Sequence, residues 1–188
     1  ALNLLAGQKD YPLTAQGHDD ARHIAERFCE RYQPNRIICS PLLRTRQTAQ
    51  PFADLLHKEI EFDARIMEQN MGRFSGMTYA EAEADPNYQP DRSARWHWIP
   101  VGGGESYEMM AARTHAFLTD LLNVRGEVLV VTHSVAMRLL RANIEHTLPV
   151  YPSITAANGE IWKVELNSLD HPNPIEPLDF GYMHHHRS

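Results

Sequence analysis

The stretch Ile37–Ala49, IICSPLLRTRQTA, predicts a buried strand that passes at once into a helix. Its first three residues form a short apolar run, which is typical of a buried strand. Ser40 is a favoured helix N-cap, and Pro41 suits the first helical position because no N–H group is needed there. We therefore expect a strand at Arg36–Cys39 and a helix from Pro41 to about His57.

Arg44 falls in the first turn of this predicted helix, close to free backbone N–H groups and to the positive end of the helix dipole. A guanidinium at a helix N-terminus, just past a strand, forms an anion site, and phosphate is the obvious anion. The pattern alone leaves open a solvated arginine or one paired with a carboxylate. Arg46 is expected on the exterior of the same helix.

The composition fits one globular domain over residues 1–188, with 43% apolar and 22% charged residues. A net charge of −6 argues against nucleic acid or an anionic membrane surface as partner. No apolar run approaches the roughly 20 residues of a membrane span. Cys29 and Cys39 form no C-x-x-C pair, so we expect reduced thiols and a cytoplasmic location.

A second strand–turn–helix junction follows the clearest buried strand, Glu127–Val131, and passes through Thr132 and His133 into another helix. Alternating units of this kind predict an α/β fold: a three-layer sandwich with a mostly parallel sheet and helices on both faces. Ligands bind beyond the carboxyl ends of such strands. Arg44 and His133 are therefore expected to face one crevice, although a helix-capping or core histidine is the plainer alternative for His133.

The remaining elements follow from local signals. They are a helix capped by Thr14, a strand at Ile60–Phe62, a short helix at Thr78–Ala84, a helix at Glu105–Leu122 and a hairpin of Ser153–Ala157 and Glu160–Leu166 around Asn158-Gly159. Residues 77–104 form a lid-like segment, with the glycines at 102–104 as a hinge. The tail from Asn167 is Pro-rich and polar, and no element is assigned to it.

Three further positions are candidates for the site or for a metal. Glu68 lies in a polar loop, where a partly desolvated carboxyl group near phosphate can donate a proton; a solvated loop glutamate is the alternative. Gln8 lines the mouth of the site or is an ordinary loop residue. The run His184–His186 resembles a metal-binding tract or a purification tag, and we assign it no metal role.

Several motifs resemble those of one family, the phosphoglycerate-mutase-like histidine phosphatase superfamily. Ser40–Ala49 is similar to its S-P-x-x-R-x-x-Q-T-A signature, Asp10–Gly17 to D-x-P-L-T-x-x-G, and Glu68–Gly76 to E-x-x-x-G-x-x-x-G. Gly103–Ser106 resembles the G-G-E-S of its phosphatase-type members. Val130–Ser134 stands where the second active-site histidine is expected, with Ser134 in place of the usual glycine. The motifs occur in the family's order over almost the whole chain.

The resemblance implies a covalent phosphohistidine mechanism that needs no metal or other cofactor. One histidine attacks phosphorus, while Arg44 and His133 hold the phosphoryl oxygens. Glu68 protonates the departing alkoxide and then activates water. Gln8 and Ser134 are expected to join Arg44 and His133 in binding substrate.

The same resemblance implies that the nucleophile lies in an Arg-His-Gly motif on a first strand, shortly before Gly7-Gln8. Residues 1–6 contain no histidine, and His18 and His23 fall in the first predicted helix. Either a further N-terminal segment carries the nucleophile, or the protein is catalytically dead. We favour the former, because losing an inner strand leaves buried backbone groups unpaired. We therefore expect either a gap in the sheet or a strand there that this numbering does not count.

The resemblance implies a phosphomonoester hydrolase acting on a small phosphorylated metabolite, because the segment between Gly76 and Gly104 is short, as in the phosphatase-type lid. Two alternatives remain open: a phosphoglycerate mutase-type phosphotransferase, and a non-catalytic phosphate-binding module if the nucleophilic histidine is truly absent. A homodimer is a further candidate assembly.

Overall fold

The computed structural model describes residues 4–150 and 156–181. Its helices are α1 (Ala15–Cys29), α2 (Leu43–Leu56), α3 (Tyr79–Glu83), α4 (Tyr107–Leu121) and α5 (Ser134–Glu145). Its strands are β1 (Arg36–Cys39), β2 (Ile60–Phe62), β3 (Val128–Val131), β4 (Ile161–Val164) and β5 (Ile175–Leu178). Short 3-10 helices cover Ala64–Ile66, Gly72–Phe74 and Arg92–Ala94.

The main sheet has three strands in the order β2-β1-β3, and both pairings are parallel. β1 lies in the centre, and three of its four residues, Ile37, Ile38 and Cys39, are buried. In the β1–β3 register, Cys39 pairs with Val131. The two strands therefore end side by side, which brings the two predicted strand–helix junctions to the same edge of the sheet.

Helices cover both faces of this sheet, as the sequence predicted. α1 packs against α2 on one face, and α4 packs against α5 on the other. The alternation of β-strand side chains divides the core between the faces. One cluster includes Ile24, Phe28, Ile37, Cys39, Ala49, Phe52, Leu129 and Val131. The other includes Ile38, Ile66, Phe117, Leu118, Leu140 and Ile144.

The sheet is interrupted next to β3. The antiparallel pair β4–β5 forms a separate two-stranded sheet, and among the described residues no strand pairing joins it to β3. Yet β4 and β5 pack against both core clusters, through Ile161 and Leu178 on one side and Val164 and Ile175 on the other. The hairpin therefore continues the layer of the main sheet without pairing to β3 in the described part of the chain, and the expectation of a missing strand stays a prediction.

The start of α2 differs from the prediction. The helix begins at Leu43 after an extended Leu42, and Ser40 is not its N-cap. Asp10 provides the cap instead, since its Oδ1 accepts a hydrogen bond from the Leu43 N–H at 2.5 Å. The cap comes from a residue 33 positions away, which a local sequence pattern cannot indicate.

The C-terminal region also differs from the prediction. β4 pairs with β5, which lies in the tail to which the sequence assigned no element. A turn is present at Asn158-Gly159, where Gly159 has a φ of 81°. The first strand of the predicted hairpin lies largely outside the described residues, as does the run His184–His186.

The lid-like segment is anchored to the loop that precedes it. Arg73 N–H donates to the Val101 carbonyl at 2.9 Å, and Glu105 N–H donates to the Asn70 carbonyl at 3.0 Å. Gly72 has a φ of +53°, and a Cβ there would lie 2.3 Å from the Val101 oxygen. The glycine run 102–104 thus belongs to an anchored turn in place of the predicted hinge.

Cys29 and Cys39 are both free thiols, as expected. Burial raises the pKa of Cys39 to about 12, so its thiol stays protonated and serves as a small core side chain. Within residues 4–150 and 156–181, no helix is both long enough and apolar enough to cross a membrane.

Candidate active site

The two strand–helix junctions touch each other through Ser40 and His133. Ser40 directly follows β1 and His133 lies two residues beyond β3, and their side-chain atoms Oγ and Nε2 are 2.8 Å apart. Ser40 is fully buried and His133 is only 7% exposed. The serine that was expected to cap a helix therefore orients the candidate site histidine.

Arg44 is the second residue of α2 and points back toward the N-terminal loop. Its Nη1 donates to the Lys9 carbonyl at 3.0 Å and its Nη2 to the Gly7 carbonyl at 2.8 Å. These bonds fix the orientation of the guanidinium while using only part of its five N–H donors. Burial lowers the pKa of Arg44, and the nearby carboxylates of Glu68 and Asp10 act in the opposite direction.

His133 is the N-cap residue of α5. Burial lowers its pKa well below 6.5, and the positive charges of Arg44 and Arg113 lower it further. The imidazole is therefore neutral near pH 7. A bound anion would favour its protonation, because the anion would offset the two arginine charges.

Glu68 lies at the N-terminus of α5. One carboxyl oxygen accepts a hydrogen bond from Gln69 N–H at 3.0 Å, and the two oxygens accept longer ones, of 3.3 Å, from Val135 and Ala136. Burial raises the pKa of Glu68, although these N–H groups and the charge of Arg44 act against the shift. Two N–H groups at this helix terminus therefore bind the Glu68 carboxyl group.

Gln8 and Ser134 occupy different parts of the site. Gln8 Nε2 donates to the Glu68 carbonyl at 3.0 Å, so in this structure it steadies the loop of Glu68. Ser134 is the first residue of α5, directly beside His133, and is half-buried. The predicted set Arg44, Glu68 and His133 is brought together at one edge of the sheet, with these two residues alongside.

The sequence did not indicate the two residues that hold the Glu68 loop against α4, Arg113 and Glu105. Arg113 on α4 forms a bidentate ion pair with Glu105, at 2.9 and 2.8 Å, and also contacts the main chain of Glu68. Glu105 belongs to the G-G-E-S motif, but no role was assigned to it. Arg113 carried no sequence signal, because its partners are brought together only by the tertiary fold.

The arrangement combines three chemical capacities. Arg44 supplies a permanent positive charge, His133 a buried imidazole and Glu68 a carboxyl group whose proton is held more tightly than usual. Together these groups can bind a phosphoryl group and protonate an oxygen leaving from it. Among the described residues, no group of three or more His, Cys, Asp or Glu side chains could hold a metal ion.

The sequence model of one family, described as the histidine phosphatase superfamily (branch 1), matches residues 1–169. The chain belongs to the histidine phosphatase superfamily. The motifs through which the sequence resembled that family all fall within the matched region, and the α/β fold with a parallel sheet is that of its solved members.

Named relatives in this superfamily include mutases and phosphatases. The chain is 32% identical over 157 residues to "Probable phosphoglycerate mutase GpmB" of Enterobacter sp. (strain 638), covering 78% of this chain and 69% of the relative. The match to the protein of the same name in Salmonella paratyphi C covers 74% of this chain and 66% of that relative. The chain thus spans about two thirds of the length of these curated relatives.

Two solved structures of a mycobacterial glucosyl-3-phosphoglycerate phosphatase are also similar to this chain. The native structure superposes with a TM-score of 0.67 at 28% identity, covering 79% of this chain and 74% of the other. The complex with inorganic phosphate gives a TM-score of 0.78 at 25% identity, covering 93% and 90%. The neighbours of this chain within the superfamily therefore include phosphatases.

Proposed function

We propose that this protein is a phosphomonoester hydrolase that acts on a small phosphorylated metabolite through a phosphohistidine intermediate. The observation that carries the proposal is the meeting of Arg44, His133 and Glu68 at the carboxyl edge of β1 and β3, with His133 and Ser40 2.8 Å apart. The kinship with a phosphatase solved in complex with inorganic phosphate supports it.

Each of the three residues has a distinct role in the proposed reaction. Arg44 binds the phosphoryl oxygens and stabilises the negative charge that develops on them. His133 donates a hydrogen bond to the same group. Glu68, whose pKa burial raises, gives its proton to the leaving oxygen and afterwards takes a proton from the attacking water.

The proposed reaction also needs a histidine nucleophile, which forms the bond to phosphorus as the bond to the leaving oxygen breaks. The gap between β3 and the β4–β5 hairpin supports the expectation that a further strand carries this histidine. The encoded N-terminus of the protein tests this point. If it provides no histidine at the site, a non-catalytic phosphate-binding module becomes the better proposal.

A phosphoglycerate mutase-type phosphotransferase is the second candidate, because curated relatives at 32% identity carry that name. The intact encoded protein should be assayed with p-nitrophenyl phosphate and with 3-phosphoglycerate, following both free phosphate and the isomer 2-phosphoglycerate. We expect free phosphate from p-nitrophenyl phosphate. Isomerisation of 3-phosphoglycerate without release of phosphate would reverse the order of the two candidates.

Four related expectations remain part of this proposal. Arg44, together with His133 once a bound phosphate favours its protonation, takes the role that a metal has in other phosphatases, so activity should persist in EDTA. The two free thiols support a cytoplasmic location. The net charge of −6 favours a small phosphorylated substrate over nucleic acid or a membrane surface. A homodimer remains a candidate assembly.

A further inference from the structure

We propose that the Arg113–Glu105 ion pair is a positioning unit that sets the direction of the Glu68 carboxyl group and so controls its action as the proton donor. This inference rests on the proposed function. Neither residue lies among those that would contact the phosphoryl group. Both act through the loop that carries Glu68.

Arg113 forms hydrogen bonds to this loop at two main-chain positions. Its Nη1 donates to the Arg65 carbonyl at 2.6 Å, and its Nη2 donates to the Glu68 carbonyl at 3.3 Å. Because Arg113 projects from α4, these bonds tie the loop to a long helix of the core. The carbonyl of Glu68 is thus held on the side of α4, while its carboxyl group lies against α5.

Glu105 holds the same loop from its other end. Its carboxylate accepts a hydrogen bond from Asn70 N–H at 3.0 Å, and its carbonyl accepts one from Gln69 Nε2 at 2.9 Å. Its bidentate bonds to Arg113 close the arrangement. The main chain three residues before Glu68, at Glu68 itself and two residues after it is therefore tied to a single ion pair.

The ion pair can do this because it is shielded from water. The side chains of Arg113 and Glu105 are 18% and 12% exposed, and the bidentate geometry fixes both of them. A second pair, Arg141–Glu145, is also bidentate, with exposures of 16% and 30%, but it lies near the C-terminal end of α5. It offers a matched control for the general cost of removing such a pair.

The double variant Arg113→Met/Glu105→Gln removes both charges and leaves the net charge unchanged. A change in the titration of Glu68 therefore reflects the position of its carboxyl group. The carboxyl pKa of Glu68 should be followed by ¹³C NMR of the labelled side chain. We expect the raised pKa to fall toward the ordinary value of about 4.5 as the loop loosens and the carboxyl becomes hydrated. In Arg141→Met/Glu145→Gln it should stay as in the wild type.

Kinetics give a second measurement on the same variants. With phosphate esters that range from nitrophenyl to alkyl leaving groups, the Arg113/Glu105 variant should lose about tenfold more kcat on alkyl esters, resembling Glu68→Gln. The Arg141/Glu145 control should lose activity equally across the series, or not at all. Equal losses in the Arg113/Glu105 variant would overturn the inference.

The two proposals fail in different ways. If the wild type hydrolyses none of the esters, the proposed function fails, and the Glu68 titration alone decides the positioning role. An unchanged Glu68 pKa in the Arg113→Met/Glu105→Gln variant overturns the positioning role even in an active enzyme. Far-ultraviolet circular dichroism should first show that both double variants are folded.

Discussion

His133 is buried in its neutral form between two arginine charges, and this determines how it would meet a phosphate. Burial is the main cause of its lowered pKa, and Arg44 and Arg113 add to it. Binding of a phosphate dianion would reverse that electrostatic balance and favour a proton on the imidazole. Under the proposed function, the residue would gain a proton when substrate binds, and this would strengthen its hydrogen bond to the phosphoryl oxygens.

The buried neutral histidine predicts a pH dependence of stability. The unfolded chain protonates His133 near pH 6.5 and the folded chain only at lower pH, so between these values the unfolded state binds more protons. The contribution of His133 to the free energy of unfolding is therefore fully present above pH 6.5. It is lost as the pH falls from 6.5 toward the lower pKa of the folded state. His133→Asn removes the effect.

Thermal unfolding of wild type and His133→Asn at pH 7.5 and pH 5.5 measures this contribution, since all other titrating groups are common to both. The wild type should lose more Tm on acidification than the variant, at about 2–4 °C for each kcal/mol. A Tm difference that does not change with pH would contradict the buried neutral histidine.

Arg44 and Arg46 offer a paired test on one helix. Arg44 faces the site, whereas Arg46 is exposed and lies over the Phe62 ring at 5.3 Å. Arg44→Ala should slow ester hydrolysis by about 100-fold, on the scale of losing one donor to a developing oxyanion. Arg46→Ala should stay near the wild-type rate. Similar rates for the two variants would remove Arg44 from the proposed mechanism.

At the scale of single residues, the sequence predicted which candidates come together better than it predicted their hydrogen-bond partners. Arg44, Glu68 and His133 were proposed because each follows a strand or lies in a polar loop, and the structure brings them to one edge of the sheet. Ser40 was placed wrongly as a helix cap. Its actual partner, His133, is 93 positions away, and such a contact exists only after the sheet forms.

At the scale of elements, the loop at residues 70–73 and the lid segment hold each other in place. Gly72 adopts a φ of +53° directly against the Val101 carbonyl. Gly103 adopts a φ of +84°, and a Cβ there would meet no atom of the described residues within 4 Å apart from its own chain neighbours. Both glycines have a positive φ, but only Gly72 is crowded by another part of the chain. Comparing substitutions at the two positions therefore distinguishes backbone strain from steric crowding. The lid segment is held in place by the close packing at Gly72.

Gly72→Ala and Gly103→Ala test this packing by urea unfolding. Gly103→Ala should cost about 1–3 kcal/mol, the usual strain of a non-glycine residue in a left-handed conformation. Gly72→Ala should cost more, because a Cβ 2.3 Å from the Val101 oxygen forces the backbone apart. Equal costs would indicate that the lid does not pack closely on this loop.

Element boundaries were predicted where the signal is local. The Thr14 cap of α1 and a short helix at Thr78–Ala84 were indicated directly by the sequence; both are present, and the structure adds a capping box at Thr78. β5 was missed because Pro177 lies within it and its pairing with β4 depends on the tertiary fold. Proline is tolerated there because only one edge of β5 is hydrogen-bonded within the described residues.

At the scale of the whole molecule, the parallel sheet explains why the site lies where it does. Parallel strands place all their carboxyl ends at one edge, and the register of Cys39 with Val131 aligns the two junctions there. This architecture was predictable from the repeated strand–turn–helix pattern. The expectation of a gap in the sheet came from the family resemblance alone, because no local pattern in the chain indicates one.

The central claim is that one edge of this sheet holds a phosphoryl group between Arg44 and His133. The initial rate of p-nitrophenyl phosphate hydrolysis by the intact encoded protein and by its His133→Ala variant tests it most directly. We predict hydrolysis by the wild type and a loss of about 100-fold or more in the variant. A variant that keeps nearly the full wild-type rate would contradict the claim.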